Sequence, residues 1–327
     1  MKSLAALIFS FTLCHLGAAG PEPLRLTKTI ALPDVPGRLD HVAIDATTRR
    51  LFLAATANNS LEVVGLDAGA RLLSITGQDK PSGVLFLPEP GRILVANGGE
   101  GSVRSYDSAS YGPSKRIGSL DDADNLRVDA RAGRIYVGYA AGALAVIDLK
   151  TLRQIGAIRL SGHPESFQLE PHGQRMFVNV PNSNHVAVID RTRQALIATW
   201  PLQPFTENYP MALDEANNRL LIGCRQPARL VVLNTATGKP VADLAIAGDT
   251  DDLFYDAKLR RIYVSCGEGF VDVIEQRSAD SYRPLYRMAT APGARTSFFS
   301  AEQSEFYLAV PAQPDRGAEV RVYKAQK

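Results

Sequence analysis

A motif consisting of one charged residue and a short β-branched or aromatic run recurs along the whole chain. The charged positions, called anchors below, are Arg50, Arg92, Arg134, Arg175, Arg219, Arg261 and Glu305, and they are 41 to 44 residues apart. A second apolar run follows each anchor, as Leu61–Val64 follows Arg50. Short strand-like runs repeating at this period are typical of propeller blades with four strands each. We therefore predict an all-β fold, a seven-bladed β-propeller.

The two ends of the chain complete the same blade in this prediction. The seventh repeat ends at Val320–Tyr323, which is its third strand, and no fourth strand follows. The segment Leu24–Leu32 resembles the fourth strands of other repeats and supplies the missing one. Such closure removes the open edge of the ring. We predict one domain over residues 21–327, with an N-terminal strand that closes the last blade.

Residues 1–20 are predicted to be a signal peptide. Lys2 provides the positive charge, Leu4–Leu16 is a mostly apolar run of 13 residues, and small residues follow up to Gly20. The run is too short for a membrane span, which needs about 20 residues. We expect cleavage after Ala19 and a periplasmic or secreted protein without a membrane span.

Two cysteines, Cys224 and Cys266, remain after removal of this leader. They occupy equivalent positions in neighbouring repeats, which would lie roughly 10 Å apart in a propeller. A disulfide needs Cα atoms within about 7 Å. The sequence favours two buried thiols and leaves a disulfide as the alternative.

Charge and motif content exclude several function classes. Lys and Arg number 36 against 34 Asp and Glu, a net charge of +2. Without a basic stripe interleaved with aromatic residues, the sequence does not indicate a nucleic-acid-binding protein. It also contains no nucleophile elbow, dinucleotide-binding fingerprint or EF-hand motif. Any chemistry must therefore come from residues that the fold brings together.

The repeat alignment places two consecutive residues per blade at the start of the innermost strand. These pairs are Asp40-His41, Ser82-Gly83, Asp124-Asn125, Glu165-Ser166, Tyr209-Pro210, Asp251-Asp252 and Arg295-Thr296. They converge at one end of the central channel, which we call the mouth. Varied polar residues in one concave place are typical of a specific site. The candidate ligand-binding residues are Asp40, His41, Asp124, Asn125, His163, Glu165, Tyr209, Asp251, Asp252 and Arg295.

The acidic residues of the mouth suggest a bound cation. Carboxylates this close would raise one another's pKa unless a positive charge intervenes. Oxygen ligands suit calcium or magnesium, whereas His41 or His163 would shift the preference towards zinc. We expect one divalent cation, calcium or magnesium before zinc. The same side chains can instead cap strand ends or remain solvated, so a site without a cation stays open.

Several strand ends in the repeats are relaxed forms of a Tyr-Val-Thr-Asn motif. They read Ile135-Tyr-Val-Gly, Met176-Phe-Val-Asn and Ile262-Tyr-Val-Ser. The chain resembles the bacterial exported β-propellers built from YVTN repeats, over essentially its whole mature length. That resemblance implies a periplasmic seven-bladed propeller and does not by itself imply an activity.

Two functions follow as hypotheses. In the first, the mouth binds a small molecule or metal ion, or the propeller binds a periplasmic protein, and the chain is a monomer. The alternative is a metal-dependent hydrolase or lyase similar to propeller lactonases, which hold one divalent ion with a Glu, two Asn and an Asp. That resemblance implies Asn125, Glu165 and Asp252 as metal ligands, with Asn208 or Asn97 as the fourth.

The catalytic residue of the alternative function remains unassigned by the sequence. The candidates are His41, Asp40 and Arg295. Either His41 or Asp40 would act as a general base towards a metal-bound water.

Overall fold

The computed structural model describes residues 22–327, so the predicted signal peptide lies outside the described residues. The described part contains 28 β-strands arranged in seven four-stranded sheets. The first fifteen strands are β1 (Leu24–Leu32), β2 (Val42–Asp45), β3 (Arg50–Ala55), β4 (Ser60–Gly65), β5 (Ala70–Thr76), β6 (Pro81–Leu87), β7 (Arg92–Asn97), β8 (Ser102–Asp107), β9 (Pro113–Ile117), β10 (Leu126–Asp129), β11 (Arg134–Tyr139), β12 (Ala143–Asp148), β13 (Gln154–Arg159), β14 (Phe167–Leu169) and β15 (Arg175–Val180).

The remaining strands follow in the same order along the chain. They are β16 (His185–Asp190), β17 (Ala195–Pro201), β18 (Thr206–Asp214), β19 (Arg219–Gln226), β20 (Ala228–Asn234), β21 (Pro240–Ala245), β22 (Thr250–Asp256), β23 (Arg261–Cys266), β24 (Phe270–Ser278), β25 (Ser281–Ala289), β26 (Thr296–Ser300), β27 (Glu305–Val310) and β28 (Ala318–Ala325). Three 3-10 helices of one turn lie at Thr56–Asn58, Pro181–Ser183 and Glu215–Asn217.

Each of the first six blades consists of four consecutive antiparallel strands, beginning with β2, β6, β10, β14, β18 and β22. The seventh blade has the order β26, β27, β28, β1. Its outer pair is antiparallel, with Leu24 opposite Ala325 and Leu32 opposite Ala318. The predicted all-β, seven-bladed propeller closed by its N-terminal strand is therefore confirmed.

The anchors have a structural explanation in the first hairpin of each blade. Arg50 begins β3 opposite the last residue of β2, Asp45, and the two side chains form an ion pair of 2.9 Å. Arg175 pairs with Glu170 in the same way at 2.5 Å. Because the anchors adjoin the last residue of the innermost strand, they lie at the opposite end of that strand from the mouth.

The most buried side chains lie on the second and third strands of the blades. Large aromatic residues two positions after the anchors fill the space between neighbouring blades, as Phe52 packs on Phe86 with ring centroids 5.6 Å apart. Tyr263 packs likewise on Phe299 at 5.0 Å. Burial of these aromatic side chains between neighbouring sheets stabilises the closed propeller.

The two cysteines lie on the second strands of neighbouring blades. Cys224 is on β19 and Cys266 on β23, and both are buried free thiols. Burial raises the pKa of Cys224 to about 12 and raises that of Cys266 as well, so both stay protonated. Among residues 22–327, no helix has the length and apolar character needed to cross a membrane.

Candidate functional site

The mouth residues of three blades continue the hydrogen-bond ladder of the innermost strand. The Asp40 amide donates to the Ala54 carbonyl at 2.8 Å, and the Ala54 amide donates to the His41 carbonyl at 3.1 Å. Gly138 and Asn179 take the place of Ala54 in the third and fourth blades. Because these backbones are hydrogen-bonded to the second strands of their blades, the mouth side chains project from a rigid frame.

A small cavity of about 20 Å³ lies at the mouth, which is room for about one water-sized group. Seven of the ten sequence-predicted residues line it, namely Asp40, His41, Asp124, Asn125, Glu165, Tyr209 and Asp251. The other three lie beside these, with His163 near Asp124, Asp252 near His41, and Arg295 near Asp251. The structure thus brings all ten residues to one end of the channel.

His41 lies between two acidic side chains. Its Nε2 is 3.9 Å from Asp40 Oδ1, and its Nδ1 is 3.8 Å from Asp252 Oδ1. Burial opposes protonation of His41, but the carboxylates of Asp40 and Asp252 outweigh it and raise its pKa to about 9. Burial also raises the pKa of Asp252 to about 7. The raised pKa of His41 makes it a poor general base at neutral pH.

Three side chains from the third and fourth blades converge on one point. The ligand atoms of Asp124, His163 and Glu165 all lie within 4.8 Å of one another. The His163 Nε2 is 3.9 Å from Asp124 Oδ2. We call these three residues the Asp-His-Glu cluster.

The orientation of His163 is set by the backbone of the neighbouring blade. Its Nδ1 lies 2.6 Å from the carbonyl oxygen of Ala140. A carbonyl oxygen only accepts hydrogen bonds, so Nδ1 must be the donor. In the neutral ring this leaves a lone pair on Nε2, the nitrogen beside Asp124. Histidines that bind metals typically donate their other ring N–H to a carbonyl or carboxylate in this way.

The charges of the cluster are unbalanced. Burial, and after it the neighbouring Asp124, raise the pKa of Glu165 to about 8. Burial opposes protonation of His163, but Asp124 and the Ala140 carbonyl raise its pKa to about 9. Burial would also raise the pKa of Asp124, but His163 and His41 hold it below its usual value. The cluster therefore retains protons at neutral pH, and a cation could displace them.

Arginines balance the acidic residues on the other side of the mouth. Asp251 accepts from Arg225 at 2.6 Å, and its other carboxylate oxygen lies 3.1 Å from Arg295 Nε. The Arg225 guanidinium lies over the Tyr209 ring, 3.8 Å from its centroid. Asp251 and Arg295 thus belong to an ion-pair network, and Tyr209 packs against its Arg225.

The two asparagines implied by the lactonase resemblance are fully buried and differ in their contacts. Asn97 Oδ1 accepts from the Asp79 amide at 2.9 Å. Asn208 Nδ2 donates to Asn179 Oδ1 at 2.9 Å. The Oδ1 of Asn208 is buried and has no hydrogen-bond partner within residues 22–327. Neither asparagine lines the small cavity at the mouth.

Gly83 occupies the mouth position of the second blade and allows the third blade to approach. A Cβ atom at this position would lie 2.2 Å from the carbonyl oxygen of Asp124. Any larger residue would therefore displace the backbone that holds Asp124.

Two arginines near the mouth were missed by sequence reasoning. Arg38 donates to Asp40 at 2.7 Å from the loop before the first blade. Arg127 lies on the innermost strand of the third blade, two residues before the position opposite the anchor. The other blades have uncharged residues at that position: Ala43, Leu85, Gln168, Ala212, Phe254 and Phe298. A charged residue at a position that is uncharged in the other six blades is the sequence feature that could have identified Arg127.

Comparisons with known proteins identify the fold. No family model and no curated protein sequence matches the chain. A chain in the crystal structure of the mitotic checkpoint complex is 15% identical, with a TM-score of 0.78 over 99% of this chain and 100% of that chain. A chain of hydrazine synthase from Kuenenia stuttgartiensis is 16% identical, with a TM-score of 0.71 over 84% of this chain and 93% of that chain. At this identity the similarity shows a shared propeller fold alone.

Proposed function

We propose that this chain is an exported β-propeller that binds one divalent cation at the mouth, through Asp124, His163 and Glu165. The observation that carries the proposal is the His163 Nδ1 bond to the Ala140 carbonyl, which orients Nε2 towards the carboxylates. Export is supported by Lys2 and the apolar run Leu4–Leu16. The YVTN-like strand ends support the same assignment to an exported propeller.

The donor set favours a transition ion. Two carboxylates alone would suit calcium or magnesium, which were the cations expected from the sequence. The imidazole nitrogen of His163 is a ligand that zinc and manganese accept more readily than calcium or magnesium do. Three protein ligands leave a coordination position for water or a small molecule. The bound ion would supply positive charge at the mouth, to which an anionic small molecule could bind.

A cation assay on the mature protein tests this proposal. Metal-free protein is titrated with zinc and with manganese, and binding is followed by calorimetry and by thermal melting. We expect one ion per chain and a raised Tm, because an ion that binds the folded state alone stabilises it. His163→Ala and Glu165→Gln should each remove most of this binding.

The matched control is His172→Ala. His172 also contacts a glutamate, with its Nδ1 2.6 Å from Glu215 Oε2, but it is exposed and outside the mouth. Its removal should leave cation binding unchanged. A wild-type protein that takes up no stoichiometric ion would refute the proposal, and so would full binding by both cluster variants.

The second candidate function is a metal-dependent hydrolase of the lactonase type. It is supported by the unpartnered Oδ1 of Asn208, which is the kind of ligand that the resemblance implies. The raised pKa of His41 argues against its role as a base at neutral pH. Hydrolysis of a simple lactone by the zinc- or manganese-loaded protein, absent from Glu165→Gln, would support this function over binding alone.

A further inference from the structure

A larger cavity lies in the central channel, beyond the mouth. Its volume is about 380 Å³, and residues from the innermost strands of all seven blades line it. His41, Asn125 and Ser166 border both this cavity and the small cavity at the mouth. The Asn125 Nδ2 lies 3.1 Å from His41 Nε2, so these two side chains form a partition between the cavities. We call the larger space the channel cavity.

The walls of the channel cavity are mostly apolar. They include Leu85, Phe86, Met211, Phe254 and Phe298. The rings of Phe254 and Phe298 lie side by side, with centroids 5.9 Å apart. A volume of this size with such walls falls in the range of small-molecule sites, which is about 300–1,000 Å³.

Arg127 is the exception in this apolar wall, because it brings a positive charge into the channel. Within residues 22–327, one guanidinium nitrogen of Arg127 makes both of its hydrogen bonds. It donates to Asn125 Oδ1 at 3.3 Å and to the backbone carbonyl of the adjacent Leu126 at 2.8 Å. It forms no ion pair with a carboxylate of the described residues.

The acid nearest in this cavity, Asp252, is already engaged elsewhere. Its Oδ2 accepts from the Ser297 amide at 2.7 Å, and its Oδ1 faces His41. Asp252 therefore does not serve as the counterion of Arg127. A partly buried guanidinium without a counterion presents donors that match a carboxylate of a ligand.

We propose that the channel cavity binds a small carboxylate with an apolar body, whose acid group pairs with Arg127 and whose body contacts the phenylalanines. The channel cavity is not lined by Asp124, His163 or Glu165, so this proposal does not depend on the proposed cation. The Arg127 guanidinium packs over the Phe167 ring, 5.5 Å from its centroid, and this contact fixes the orientation of the guanidinium.

The test uses phenylbutyrate as the probe, measured by calorimetry on the full mature protein. Its amide, phenylbutyramide, and its amine, phenylbutylamine, have the same apolar body without the negative charge. We expect saturable binding of phenylbutyrate, and binding about tenfold weaker or worse for the other two. Equal binding of all three probes would overturn the proposal, and so would the absence of saturable phenylbutyrate binding at millimolar concentration.

Substitutions of two arginines distinguish a specific ion pair with Arg127 from general electrostatic attraction to the protein. Arg127→Gln should weaken phenylbutyrate binding about tenfold, whereas Arg131→Gln, which removes the same charge from an exposed turn, should leave it unchanged. Loss of binding in both variants, or in neither, would refute the assignment.

A measurement on the wild-type protein covers the case in which Arg127→Gln does not fold. The Nε–H resonance of Arg127 should shift on addition of phenylbutyrate and stay in place with phenylbutylamine. An unchanged resonance at saturating phenylbutyrate would place the ligand elsewhere.

Discussion

Two side chains of the Asp-His-Glu cluster, His163 and Glu165, differ in what holds them. His163 is fixed by a backbone carbonyl, whereas Glu165 is buried beside Asp124 without an arginine partner among the described residues. Glu165 therefore costs stability whenever it is ionised without a cation. A group that destabilises the empty protein and has a defined geometry is what a binding site often requires.

Glu165→Gln should stabilise the metal-free protein at alkaline pH. The folded-state pKa of Glu165 is raised from 4.5 to about 8, so wild-type stability falls as pH rises through that window. Glutamine does not titrate, and the variant should melt a few degrees above wild type at about pH 9. The two proteins should melt alike at about pH 4, where both side chains are neutral.

The control for this comparison is Glu302→Gln, since Glu302 is exposed in a turn after β26. Its melting temperature should follow that of wild type at both pH values. A lower Tm for metal-free Glu165→Gln at alkaline pH would show that the ionised carboxylate is favourable, contrary to this account.

His41 should contribute to stability in the opposite pH direction. Its folded-state pKa is about 9 and its usual value is 6.5, so its contribution is complete below 6.5 and is lost as pH rises to 9. The loss of unfolding free energy on His41→Ala should therefore be larger at about pH 6 than at about pH 10. Denaturant titrations of both proteins measure it. A loss independent of pH would mean that His41 acts by packing alone.

The sequence predicted which residues meet at the mouth but could not predict their contacts. Strand register alone places Asp124 and Glu165 at equivalent positions of adjacent blades. The bond that orients His163 comes from the Ala140 backbone, and a backbone carbonyl leaves no residue signature. Arg127 lies inside the innermost strand rather than at its start, so the alignment of strand starts does not indicate it.

At the level of elements, β1 joins the two ends of the chain. Leu24, Ile30 and Leu32 point into the core and are at most 1% exposed, whereas Leu26 is 49% exposed. The register with β28 shifts between Leu26 and Lys28. The composition of this strand allowed its prediction from the sequence, since it resembles the outer strands of other blades. The shift in register was not predictable, because outer strands are loosely patterned.

Ile30→Ala should destabilise the protein by about 2–5 kcal/mol, because it leaves a cavity in the closing blade. Leu26→Ala on the same strand should stay within roughly 0.5 kcal/mol of wild type. Denaturant unfolding gives both values. Equal effects of the two substitutions would contradict the role of β1 as a buried closing strand.

On the scale of the whole molecule, both ends of the ring of innermost strands contain ion pairs. Arg50 pairs with Asp45 at the anchor end, and Arg295 pairs with Asp251 at the mouth. The repeat period was sufficient to predict this ring, because every blade repeats the same hairpins. It gave no information on the channel cavity, which depends on the differing sizes of side chains in seven blades.

A closed ring should unfold cooperatively. Cys224 and Cys266 lie in different blades, are buried, and stay protonated when folded. Both thiols should become reactive towards a thiol reagent over the same denaturant range in which the β-sheet signal is lost. Exposure of one thiol well before the other would show that blades open separately.

The central claim is that His163 Nε2 is a cation ligand at the mouth. The most direct measurement is NMR of the His163 ring nitrogens in the wild-type protein, before and after one equivalent of zinc. The account predicts that the Nε2 resonance shifts on zinc addition while the Nδ1–H proton, bonded to Ala140, stays protected from exchange. Unchanged Nε2 resonances at one equivalent of zinc would contradict it.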